Sequence, residues 1–370
     1  MKSIIYIGMD VHKESYSLCA LDDASGEILG RTRCAADVTL VEKFVTNVKK
    51  KSGGERAIQA GYEAGCLGYA LRAQLVEKGI ACDILAPTTM YSSAKNKRVK
   101  NDKMDAKMIA LNLANGTYKS VYIPKKEDVE IKEYVRMLAD FRAALTTVKQ
   151  QIKALILRHG YRYEGKSSWT MAYMKWLRSL DLGDLLTETL EEYLLQYETL
   201  VDKIERFQAR LETFSHQETY EQPVSQLKCF KGINTISAMT LQVEISDFTR
   251  FPNAKAFTSY LGLTPSEYSS GEKVNRNSIT KQGNSTVRST LVECAQALVK
   301  GKIGQKSKRV KQRQKGQASQ VIAYADKAVE RLQRKYHQMM YRGKPRNVVI
   351  TAVARELACF IWGMETGNLE

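Results

Sequence analysis

Two runs of apolar residues in the middle of the chain leave little choice of secondary structure. Tyr134, Leu138, Phe141, Leu145, Val148, Ile152 and Leu155 step by four and three in turn. Leu186, Leu190, Tyr193, Tyr197, Leu200, Ile204, Phe207, Leu211 and Phe214 repeat that alternation without a break. Such spacing lines every apolar side chain along one stripe of an α-helix. The second run covers about four heptads, about 43 Å at about 1.5 Å per residue. Helices of this length pair, either with each other or with a second subunit. We read them as an oligomerising coiled coil, with packing inside one chain as the alternative.

The flanks differ from this middle. The N-terminal part alternates like strands in IIYIGMD, SYSLCALD and EILGRTRC, with DDASGE as the turn before the last. A helix over about 38–51, a strand AIQAGYE, a helix from Leu67 to Lys78 and a strand ACDIL follow. Three adjacent strands and then alternating helix and strand predict an α/β domain with a mixed sheet, the order of an RNase H-like fold. Beyond 222, CFKGINTISAMTLQVEI reads as helix, tight turn, helix, resembling a helix-hairpin-helix that offers backbone N–H groups to phosphate. Asn234 takes the place of its second glycine, where left-handed geometry is expected. A loop over TPSEYSSGEKVNRNSITKQGNS, a helix from about Thr286, the lysine-rich GKIGQKSKRVKQRQKGQ and a helical region around 319–363 complete the chain. The expected domains are 1–123, 124–222 and 223–370, all within the 370 residues available for a buried core.

Charge narrows the function. The net charge is +17, and residues 271–350 hold nineteen Lys/Arg against four Asp/Glu. A basic surface so concentrated marks a polyanion binder, whereas a charge kept for solubility would be spread evenly. No run of eighteen apolar residues occurs, so no membrane partner is expected. The seven cysteines are scattered, odd in number and never spaced as a zinc pair, and they read as reduced thiols of a cytosolic protein.

The chemistry rests on acids. Asp10 ends the first strand on the face of Tyr6 and Gly8, and Gly8 leaves room beside it. Glu63 ends the strand AIQAGYE. In VKNDKMDAKMIA, Asp102 and Asp105 share one helix face behind the basic run containing Lys95, Lys97, Arg98 and Lys100. Singly, Asp10 reads equally as a turn former, Asp102 as a helix cap and Asp105 as a first-turn acid. Together, four carboxylates in one pocket stay ionised only if cations neutralise them. Oxygen donors suit Mg²⁺ or Mn²⁺, and two such ions can activate a nucleophile and stabilise a leaving oxygen at a phosphodiester. The basic run would then face the phosphates.

YIGMDVHKE, GYEAGCLGYAL and VKNDKMDAKMIA resemble the acid-bearing motifs of the DEDD transposases of the IS110 insertion-sequence family, related to the Piv invertases. RHGYRYEGKSSWT, FKGINTISAMTLQVEI, YLGLTPSEYSSG and ITKQGNSTVRSTL resemble later stretches of that family in order, so the likeness covers nearly the whole chain. The departures are Lys231-Gly232-Ile233-Asn234, where Pro-Gly-Ile-Gly is more usual, and the lysine-rich stretch near 302–315. The resemblance implies a RuvC-like RNase H-fold domain holding two Mg²⁺ or Mn²⁺ ions, a coiled coil, and a C-terminal domain with a required serine. By motif position that serine is Ser270, with Ser269 adjacent. It also implies excision and insertion of the element's own DNA and guidance by a non-coding bridge RNA pairing with donor and target. A composite site in a dimer or tetramer, and a bacterial or archaeal cytoplasm close to the nucleoid, are implied as well. A serine needs activation to attack phosphorus, and a phosphoserine link would conserve the bond energy for religation. Lys273, Arg276, Lys281 and Arg288 are candidates to offset developing charge, Lys308 and Arg309 to bind nucleic acid, and Gly283-Asn284-Ser285 to open a helix toward phosphate.

Three other readings are distinguishable. A metal-dependent junction-resolving nuclease would use the acids and water without the serine. An actin-like ATPase would turn over ATP without nucleic acid, and a non-catalytic nucleic-acid-binding protein would ignore Mg²⁺.

Overall fold

The computed structural model describes residues 4–53, 56–65, 67–91, 102–267 and 276–369, the side chains of 102, 103 and 276 excepted. The chain divides into two compact units, Met1–Ile123 and Pro124–Glu370.

The first unit is built on a five-stranded sheet of β1 (Ile4–Val11), β2 (Ser15–Asp22), β3 (Ile28–Ala35), β4 (Ala57–Glu63) and β5 (Ala81–Leu85). Its spatial order is β3-β2-β1-β4-β5, with β1–β2 and β2–β3 antiparallel and β1–β4 and β4–β5 parallel. This mixed sheet is compatible with the RNase H-like expectation. Strand alternation assigns the two faces. Ile5, Ile7 and Met9 pack with Val41, Val45 and Val48 of α1 (Val38–Lys51) and Leu71 and Leu75 of α2 (Ala70–Glu77). The opposite face, carrying Tyr6 and Gly8, receives α3 (Asp102–Asn115).

Helix α3 lies unusually close to the sheet. A Cβ on Gly8 would stand 2.1 Å from the Ala106 carbonyl oxygen and 2.3 Å from the Ala110 nitrogen. Ala106, Ile109, Ala110 and Leu113 form its buried stripe, and the two alanines sit where the approach is tightest. Gly61, the neighbour of Gly8 on β4, makes room for Leu113 in the same way. The space left by Gly8 is thus filled by the backbone of a helix and not kept open beside a carboxylate.

The second unit opens with α4 (Lys126–Arg158), α5 (Met171–Arg178) and α6 (Asp184–Ser215). The two heptad stripes meet each other within this chain. Tyr134 lies 5.5 Å from Phe207 and 5.8 Å from Phe214, and Phe141 lies 5.3 Å from Phe207, ring centre to ring centre. Further along, Val148, Ile152 and Leu155 pack with Leu190, Leu194 and Leu200. The stripes are thus covered by the intrachain alternative, which periodicity alone could not select, because 159–183 let the chain turn back on itself.

Helices α7 (Glu218–Leu227) and α8 (Thr235–Ile245) follow, with α8 buried nearly all round. The turn between them differs from the expected one. Gly232 carries the left-handed conformation, while Asn234 is extended and caps α8 reciprocally with Ser237. The N–H groups of Ile233 and Asn234 bond to Phe230 and Ser237 inside the turn itself.

After α9 (Ala254–Tyr260), the stretch expected as a loop contains a hairpin of β6 (Pro265–Glu267) and β7 (Arg276–Ile279). Helices α10 (Ser285–Leu298), α11 (Lys308–Gln314), α12 (Ser319–Tyr341) and α13 (Arg346–Glu365) close the unit. The lysine-rich stretch is folded onto the α7–α8 turn. Val310 and Gln314 are buried, Gln314 donates to the Cys229 carbonyl at 3.2 Å and to Asp326 at 3.0 Å, and Arg313 donates to the Ile233 carbonyl. Among the described residues α13 alone is long and apolar enough to cross a membrane, and its Val349, Val353, Leu357 and Ile361 lie in the core of this unit.

Candidate functional site

The parallel register sets the acidic edge. Met9 pairs with Tyr62, so Asp10 and Glu63 come next on adjacent strands and point to the face of Gly8 and Gly61. Helix α3 runs across that face with Ala106 and Ala110 over Gly8 and Leu113 over Gly61. Asp102 and Asp105 belong to its first turn. Register thus sets Asp10 and Glu63 at neighbouring strand ends, and Asp105 stands in the first turn of the helix packed on the same face of the sheet.

Asp10 is largely shielded, at 17% side-chain exposure, and its Oδ2 lies 3.2 Å from His12 Nε2. Tyr62, beside Glu63 on the other face, has its phenol pushed up to about 12 by burial and donates to the Gly68 carbonyl at 2.9 Å. It thereby ties down the loop that follows Glu63. Asp105 is half-buried in the first turn of α3. Donors that are all carboxylate oxygens fit a hard divalent ion such as Mg²⁺ or Mn²⁺. Among the described residues no three ligand-type side chains stand together, and the Asp102 side chain lies outside them.

Lys95, Lys97, Arg98 and Lys100 lie outside the described residues. The segment they occupy begins at Tyr91, and Asn112 fixes that start. Its Oδ1 accepts from the Tyr91 N–H at 2.8 Å, and its Nδ2 donates to the Tyr91 carbonyl at 3.1 Å.

In the second unit, residues 268–275 join β6 to β7 and lie outside the described residues, Ser269, Ser270 and Lys273 among them; so does the Arg276 side chain. The base of this hairpin is tightly built. Gly262 and Gly283 are both left-handed, and a Cβ would meet the Gln282 carbonyl at 2.3 Å or the Tyr260 carbonyl at 1.8 Å. Arg288 braces the same base, donating to the carbonyls of Leu261 at 2.9 Å and Gln282 at 3.0 Å. Lys281 is exposed and left-handed. Lys308 and Arg309 are exposed at the start of α11.

One buried acid organises this region. Glu244 has no side-chain exposure, and it accepts from Arg136 Nε at 2.9 Å and from Asn284 Nδ2 at 2.8 Å, with Lys132 Nζ 3.1 Å away. Burial pushes its pKa up, but Arg136, Asn284 and Lys132 outweigh burial and hold it below the ordinary value. Asn284 at once caps α10 through the Val287 N–H. Glu244 thus locks the strand-to-helix junction after the hairpin to α4.

Sequence reasoning missed His12, Asn112 and Glu244. The last two carried a signal, a polar residue inside an otherwise apolar helical run (MIALNLA, SAMTLQVEI), which in a folded chain must find partners.

Comparison with known proteins adds the family. Residues 224–311 match the model described as the transposase IS116/IS110/IS902 family, and residues 7–160 match a DEDD transposase model of the IS110 type. A Sinorhizobium fredii protein provisionally described as a transposase, y4qE, is 31% identical over 361 residues, covering 97% of this chain and 88% of its own length. The transposase for insertion sequence element IS1533 of Leptospira borgpetersenii is 28% identical over 349 residues, covering 93% and 99%.

Proposed function

This chain belongs to the IS110 family of transposases and so acts on DNA in transposition, and from that premise we propose a recombinase that cleaves and rejoins DNA through Ser270. Asp10, Glu63, Asp102 and Asp105 are the residues that would hold two Mg²⁺ or Mn²⁺ ions. Bound there, such ions activate an attacking oxygen and stabilise a leaving one. The Ser270 Oγ attacks phosphorus: the Oγ–P bond forms while the P–O bond to deoxyribose breaks, the serine proton passing to solvent and the departing oxygen taking one up. Reversal by a new strand end restores the serine and joins DNA without an external energy source. Lys273, Arg276, Lys281 and Arg288 offset the charge on the transferring phosphoryl group, while Lys95, Lys97, Arg98 and Lys100, with Lys308 and Arg309, carry the flanking phosphates.

Donor and target are chosen by a non-coding guide RNA, and acids and serine from different subunits complete a tetrameric site. That the acids and the serine segment belong to separately compact units is compatible with such sharing. The observation that supports the reading is that Asp10 and Glu63 end adjacent parallel strands on the face that receives α3, the helix that opens with Asp102 and Asp105.

The test is adduct trapping on a labelled element junction in Mg²⁺. Wild-type protein should form a covalent protein–DNA species that Ser270→Ala and Asp105→Asn both lose. Cleavage that persists in Ser270→Ala, without any adduct, would mark a hydrolytic junction nuclease instead.

A further inference from the structure

Away from the acids and the hairpin, the end of the α4–α6 pair carries an aromatic and basic surface that the proposed chemistry does not employ. Trp169 stacks on Tyr197 with ring centres 5.0 Å apart and planes 26° from parallel. Lys149 Nζ stands 5.3 Å from the Trp169 ring centre and 5.5 Å from that of Tyr197, and Lys153 Nζ stands 6.0 Å from Trp169. Neither lysine is ion-paired among the described residues. Beside the stack opens a cleft of about 850 Å³ lined by Trp169, Met171, Met174, Tyr197, Lys175 and Arg178 among others.

Three features separate this surface from ordinary packing. Trp169 holds a left-handed backbone, φ 64°, a conformation that is a genuine outlier for a bulky residue and collects at functional positions. Met171 is 91% exposed, although an apolar side chain at that place gains nothing from water. The charge is mostly positive, with seven Lys/Arg against one Asp/Glu between 149 and 178, although Arg178 is paired with Glu198 at the cleft wall. Aromatic faces beside unpaired cations, opening on an apolar cleft, are the elements with which proteins hold unpaired bases while cations follow the backbone. A duplex hides its base faces and cannot use them.

We propose that this cleft binds single-stranded nucleic acid, taking unpaired bases against Trp169, Met171 and Met174 with the phosphates along Lys149, Lys153 and Lys175. The occupant is fixed by charge as well as shape, since an acidic backbone complements this rim. The inference does not depend on the acids or on Ser270, and it stands or falls separately from the cleavage chemistry.

The experiment uses the full chain with fluorescein-labelled twenty-nucleotide oligomers, dT and rU, and a duplex of equal length. Met171→Glu alters an exposed side chain without touching the core, and Lys149→Ala and Trp169→Ala complete the set, each checked by circular dichroism. Met171→Glu and Lys149→Ala should weaken binding of at least one single strand about tenfold while leaving duplex affinity within twofold, and Trp fluorescence should be quenched by that strand in wild type. A loss for dT, rU or both identifies the strand held. Single-strand affinity unchanged in both variants overturns the proposal. So does a change confined to sedimentation, which would show the cleft covered by a second copy of the chain.

Discussion

A methyl group on Gly8 would lie 2.1 Å from the Ala106 carbonyl, and backbone atoms cannot step aside as a side-chain tip can. Gly8→Ala should therefore cost more than an ordinary overpacked core, at least about 3 kcal/mol by urea unfolding, and abolish DNA cleavage by displacing α3. Gly30→Ala is the control, because its Cβ would meet the Phe44 ring at 3.5 Å and Val48 Cγ2 at 3.8 Å, ordinary contacts with side chains. Glu365 makes a second residue-scale case. Its Oε1 is buried without a hydrogen-bond partner, and burial raises the carboxyl from 4.5 to about 7, against a smaller lowering by Gln242. A raised carboxyl keeps its proton in the folded state after the unfolded chain has released it. The contribution of Glu365 to stability is then greatest below about 4.5, falls as pH climbs to about 7, and is flat above, a loss of roughly 3 kcal/mol. Glu365→Gln should remove that slope and leave the mutant the more stable protein at pH 8. Glu244 has the opposite sign. Its pKa is lowered, so its contribution is present above the ordinary carboxylate range and disappears as pH falls through its folded value.

At the scale of elements, the β6–β7 base hangs on the cap of α10. Asn284→Ala removes a side-chain cap, about 1 kcal/mol by itself, and also takes a donor from buried Glu244. The combined loss in thermal unfolding should exceed that of Asn253→Ala, which caps α9 without a second partner in the hydrogen bonds described. These elements were unequally legible from sequence. Strand alternation in β1 and β2, and the bounds of α1, could be read because period and turn signals agree. The heptads located α4 and α6 but not their partner, since a stripe records what must be covered and not what covers it. The hairpin read as loop because strands of three and four residues are too short to alternate visibly. Asn234 was misread because Asn serves left-handed turns and helix caps equally well, and only the flanking Gly232 decides between them. Of the candidate site, the acids and their order were visible in the sequence. Whether they share an ion depends on register and on how α3 is seated, which spacing along the chain does not encode.

At the scale of the whole molecule, the concentrated positive charge of residues 271–350 predicts how strongly salt opposes binding. The logarithm of duplex affinity should fall steeply and linearly with the logarithm of salt concentration. Replacing Lys308 or Arg309 with Ala should make that slope shallower by about one for each phosphate no longer neutralised, across all sequences alike. A flat response in wild type would dismiss the basic surface as a binding face. The convergence of the acids is tested most directly by Fe²⁺ with ascorbate, whose hydroxyl radicals cut the polypeptide beside a bound ion. The expected fragments end near residues 10, 63 and 102–105 together, fade with excess Mg²⁺, and vanish in Asp10→Asn. Cuts at only one of these segments, or cuts indifferent to Mg²⁺ and to Asp10, would show that the acids do not share an ion.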